Sequence, residues 1–128
     1  MNTEGIKIDA NIVRLVRGLN ALPGVDTFSS CGGHENPTQG QEGQGEFQVN
    51  FHLTQNRRGW KSLKLIQWAI QQTEADLDGK IRLQVWVDPG EDENDPRAAI
   101  LCFELRGKDT NPGELAEILE RLAVQQHD

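Results

Sequence analysis

Cysteine, positive charge and long apolar runs are all scarce in this chain, and each scarcity removes a class of protein. Two cysteines, Cys31 and Cys102, among 128 residues are too few for the disulfide framework of a small secreted domain and read as reduced thiols. No apolar run approaches the roughly 20 residues needed to cross a bilayer, so no membrane partner is expected. The opening MNTEGIKIDA has neither the basic n-region nor the apolar h-region of a secretory signal, which sets a cytoplasmic expectation. Against 20 Asp and Glu stand 13 Lys and Arg, a net charge of −7. That balance argues against a protein whose whole surface tracks a phosphate backbone, because such affinity comes from clustered cations. The one basic stretch, NRRGWKSLK at 56–64, reads either as a solvated helix start or as an RNA contact through Arg57, Arg58 and Lys61.

What is present is enough for one domain, 1–128, with a core that needs no staples. Ile12, Leu15, Val16, Leu19 and Leu22 recur at helical spacing over 9–22, with Asp9 as a cap and Pro23-Gly24 as a stop. A short extended run, Val25 to Ser29, follows. Over 46–53 the alternation is strict: Phe47, Val49, Phe51 and Leu53 point one way, and Glu46, Gln48, Asn50 and His52 the other. A second helix is predicted over 57–75, with Leu63, Ile66, Trp68, Ala69 and Ile70 as its apolar side. Alternation returns over 80–88 and in a fourth strand with Ala99, Leu101, Phe103 and Leu105 inward, the two joined by the turn PGEDENDP. Asn111, Pro112 and Glu114 spell the start of a last helix, with Glu114 placed to close a capping box and Leu115, Ile118, Leu119 and Leu122 as its buried stripe. One-sided strands and one-sided helices in the order α-β-β-α-β-β-α predict an α+β two-layer sandwich: a mostly antiparallel four-stranded sheet with three helices on one face.

The chemistry concentrates in TFSSCGGHENP, 27–37. Gly32 and Gly33 let backbone N–H groups converge into an anion-holding nest, to which Ser29 and Ser30 add hydroxyl donors. Cys31 beside those dipoles is placed as a nucleophile, with His34 three residues on as its base and Glu35 within reach of a ligand. The Gly- and Gln-rich stretch 38–46 reads as a connection able to close over the loop. The competing reading is a wide turn in which Cys31 fills a small apolar hole. Cys31-x-x-His34 also offers two metal ligands, yet a structural zinc needs four and a catalytic one three. Only Glu35 or Asp26 lies conveniently near, since His52 is about 20 Å along its strand and His127 is terminal. No metal is assigned, and the residues specify no cofactor. A third feature is the open face of the sheet, where Gln48, Asn50, His52, Arg82, Gln84, Trp86, Ile100, Cys102 and Glu104 gather; a Trp beside an Ile there suggests a covered face.

The helix, the passage LPGVDTFSSCGGH and the strand after it resemble the opening of the wybutosine-synthesis methyltransferases, the S-adenosylmethionine-dependent enzymes of tRNA wyosine modification. In that family a strand ends in Ser-Ser-Cys-Ser-Gly-Arg, matched here by Ser29, Ser30, Cys31 and Gly33 over about 25 residues. Where the family carries Arg, this chain has His34 and lacks the fixed cation. The resemblance implies a related α/β core with a site at the Ser-Ser-Cys loop, and a relation to S-adenosylmethionine-dependent RNA-modifying enzymes. Two functions are therefore open: a domain binding a small anionic ligand or cofactor at Ser29–His34, with Cys31 and His34 as catalytic candidates, or a non-enzymatic domain that forms a homodimer through its open sheet face.

Overall fold

The computed structural model describes residues 12–32, 46–92, 94–95, 97 and 99–126. Asp9, Gly33, His34, Glu35, the 38–45 connection and His127 lie outside the described residues. The elements are α1 (Val13–Asn20), β1 (Val25–Cys31), β2 (Glu46–Leu53), α2 (Arg57–Gln71), α3 (Glu74–Leu77), β3 (Ile81–Asp88), β4 (Ile100–Lys108) and α4 (Gly113–Gln126). The strands form one antiparallel sheet in the order β1-β2-β4-β3. The α+β class and the sheet are those expected from the alternation.

One face of this sheet meets the helices. Phe47, Val49, Phe51 and Leu53 of β2 share a single buried cluster with Leu15 and Leu19 of α1, Ile66 and Ile70 of α2, and Leu115 and Leu119 of α4. Phe51 and Phe103 stand opposite each other in register and stack at 5.4 Å. Phe47 faces Gly107 across the same pair of strands. A Cβ added at Gly107 would lie 2.0 Å from the Phe47 ring, so the ring rests on the glycine backbone, and both residues are fixed by one contact. Polar ties hold the edges of the core: the Asn20 amide donates to Thr27 Oγ1 at 2.8 Å while its oxygen accepts from the Thr27 N–H at 2.9 Å. Ser62 Oγ donates to the Pro23 carbonyl at 2.6 Å, pinning α2 to the turn after α1.

Several expectations need correction. The helix expected over 57–75 is two helices, giving four in all among the described residues. Thr73 divides them, because its hydroxyl donates to the Ile70 carbonyl and accepts from the Asp76 N–H, ending α2 and capping α3. Trp68, assigned to the apolar side of α2, is 47% exposed; at 100° per residue it points about 200° from Ile66. The capping box at α4 does not close. Asn111 Oδ1 accepts from the Gly113 N–H at 2.9 Å, but Glu114 Oε1 accepts from the Glu74 N–H and serves α3 instead. Ala99 precedes β4 and leaves its inward position to Gly107. β1 runs to Cys31, two residues beyond its expected end. Val85 and Val87 lie on the helix side but are 58% and 57% exposed, since the far end of β3 runs past the helices.

Candidate functional site on the open sheet face

Among the described residues no helix covers the second face, and the residues on it are read from the register. The decisive local event is a bulge in β1: Thr27 pairs with Phe51 and Ser29 with Asn50, so Phe28 is an extra residue. Strict alternation from Val25 and Thr27 would send Ser29 and Cys31 into the core. The bulge reverses that parity, placing Ser29 opposite Asn50 and Cys31 opposite Gln48 on the open face, while Ser30 turns to the helix side opposite Val49. Ser29 Oγ accepts from the Asn50 amide at 3.0 Å.

Three rows cross this face. The first runs Asp26, His52, Cys102, Trp86. The bulged Phe28 lays its ring on His52, stacked at 4.3 Å, and meets Trp86 edge-on at 6.4 Å. Phe28 and Trp86 are exposed, as is Ile100 at the end of β4. Between the rings of His52 and Trp86, the small Cys102 is fully buried, and this burial pushes its thiol pKa up, with the Asp88 carboxylate adding to the rise. The second row is polar: Ser29, Asn50, Glu104, Gln84. The third is Cys31, Gln48, Arg106, Arg82.

Beyond the third row the face turns cationic. Arg82 stands directly opposite Arg106, and the Lys108 N–H donates to the Lys80 carbonyl at 2.8 Å, setting two lysines side by side. These four residues, with Glu46 and Gln84, line a cavity of about 420 Å³. Two carboxylates offset part of the charge: Glu46 faces Lys108, and Glu104 Oε1 accepts from Arg106 Nη1 at 3.4 Å. Among the described residues Arg82 makes no ion pair.

Of the residues expected to form the site, Ser29 and Cys31 come together on this face and Ser30 does not. Cys31 is 7% exposed yet stands outside the core cluster. Gly32 is buried and lines a second cavity, about 240 Å³, with Glu46, Phe47 and the 110–113 segment before α4. Gly33, His34 and Glu35 fall outside the described residues. Arg57, Arg58 and Lys61 are exposed at the start of α2, in the helix layer and away from the cationic cavity. Among the described residues no group of three His, Cys, Asp or Glu is placed to hold a metal ion, and no helix is long and apolar enough to cross a membrane. The cations Lys80, Arg106 and Lys108 were missing from the sequence reading. Carrying the β4 alternation past Glu104 reaches Arg106 and Lys108 on the same face, which was the available signal. Compared with known proteins, the chain matches no family model, no curated protein and no solved structure.

Proposed function

We propose that the domain binds a small anionic ligand of the nucleotide class on its open sheet face, its phosphate held by Lys80, Arg82, Arg106 and Lys108. The observation that carries this reading is the juxtaposition of like charges on neighbouring strands, Arg82 opposite Arg106 and Lys80 beside Lys108. Like charges directly opposite one another destabilise a sheet, and an anion between them converts that repulsion into charge-assisted hydrogen bonds. Four residues along β3, roughly 13 Å away, Trp86 with Phe28 and His52 offers aromatic faces for a flat ring; such stacking contributes about 1–3 kcal/mol per base. The acidic remainder of the surface favours a small ligand over a long polyanion.

The expected loop site joins this reading at one residue, because β1 delivers Cys31 into the row of Arg106. Cys31 as nucleophile, with Ser29 on the same face and His34 as proton carrier, forms the catalytic extension of the proposal; Ser30, which turns to the helix side, takes no part in it. Bound ligand should then slow alkylation of Cys31.

Thermal shift at low salt tests the binding, because a ligand that binds only the native state raises Tm. A nucleoside triphosphate should raise Tm, inorganic phosphate should raise it less, and Arg82→Glu should abolish both shifts while the free protein still melts cooperatively. S-adenosylmethionine is the third probe, supplied by the wybutosine-family resemblance; a shift with it alone that survives Arg82→Glu moves the site away from the cations. No shift with any of the three overturns the reading. The second reading, association through the open face, is favoured by exposed Phe28, Trp86 and Ile100; a dimer that Trp86→Ser dissociates would support it.

A further inference from the structure

The two edges of the sheet are built differently. β1 is broken by the bulge at Phe28, a device that spoils an edge for pairing. β3 pairs with β4 without a register shift from Ile81 to Asp88, and its sequence IRLQVWVD holds no proline and no lysine. Among the described residues nothing pairs with its outer side. Its centre is also apolar where a monomer needs no apolar surface, at Val85 and Val87 on the helix side.

We infer that two copies of the chain join edge to edge through β3, antiparallel about a two-fold axis at Val85, so that Arg82 of each faces Asp88 of the other. Three features of the strand select this partner and register. Antiparallel partners directly opposite must share a face, so only registers that keep odd residues against odd are allowed. With the axis at Val85, the two exposed Val85 side chains meet, and each Val87 meets Leu83 of the second copy, covering the uncovered apolar end. The same axis sets Arg82, which has no ion pair among the described residues, against a carboxylate at each end of the interface. The dimer does not depend on the ligand proposed above. It would change that site, because Gln84, which lines the cationic cavity, then faces Trp86 of the second copy. An aromatic ring would border the cations at one strand spacing, about 4.8 Å, and Arg82, with five donors, can serve both cavity and interface.

Sedimentation equilibrium of the full chain tests it. At about 0.1 mM, where a micromolar affinity leaves little free protein, the expected mass is twice the 14.3 kDa of the chain. Arg82→Asp and Asp88→Arg should each raise the dissociation constant about tenfold or more, because each puts like charges opposite one another. An equimolar mixture of the two variants should return to the dimer mass, since both charge pairs are then opposite in sign. Val85→Lys should be monomeric. Should either charge variant fail to fold, Val85→Cys decides: the symmetric position oxidises to a covalent dimer, and exposed Leu77→Cys does not. A monomeric wild type, charge variants that remain dimers, a mixture that does not recombine, or no crosslink at Val85→Cys would overturn the inference.

Discussion

The two faces of the sheet obey different rules. On the helix side nearly every residue has a packing reason: Phe47, Val49, Phe51 and Leu105 are buried in one cluster with apolar side chains from α1, α2 and α4. On the open side Phe28, Trp86, Arg82 and Arg106 are large or charged, and the fold does not require them. A sheet that needed only to fold would place small polar residues there and would keep like charges apart. The contrast separates residues kept for stability from residues whose presence calls for a ligand or a partner.

Mutation can break this contrast, and the largest effect should come from the covered face. Phe47→Ala removes a fully buried ring and is expected to cost about 3–5 kcal/mol, read as a lower denaturant midpoint. Next, Gly107→Ala pushes a methyl into the Phe47 ring and should cost about 1–3 kcal/mol; combining it with Phe47→Leu should recover part of the loss, a coupling that a double-mutant cycle measures. Trp86→Ala, on the open face, should cost no more than about 1 kcal/mol, taken from its contact with Phe28. A loss as large as that of Phe47 would show the open face to be a second core and end the contrast. The smallest effect belongs to the surface pair joining α1 to α4, where Arg14 Nε and Nη2 donate to the two Glu120 oxygens at 2.8 and 2.9 Å. The bond from Arg14 holds the Glu120 carboxyl below its ordinary value of 4.5. Its contribution is therefore complete above that value and is lost as pH falls through the lower folded value. Glu120→Gln should be slightly less stable than wild type at neutral pH, and the two should converge in acid.

Much of the covered face was legible because a buried stripe has a period. β2 shows its alternation residue by residue, and α1 and α4 show theirs at 3.6. The break at Thr73 was not legible, since the apolar spacing on either side reads as one helix and only the threonine's two backbone bonds divide it. The candidate site was half legible. Trp86, Arg82 and Cys102 fell on the open face by alternation alone. Ser29 and Cys31 reached that face only through the bulge at Phe28, which leaves no periodic trace. The cationic cavity needs Arg82 to meet Arg106, 24 positions further along the chain, in register, a fact about pairing that neither strand carries alone.

The seat of Phe47 on Gly107 also has an evolutionary reading. Position 107 admits a side chain only when position 47 yields space, so among descendants of this sequence the two should change together, a glycine lost at one site accompanied by a smaller residue at the other. That linked substitution would mark the β2–β4 pairing in sequences far too diverged to align by eye.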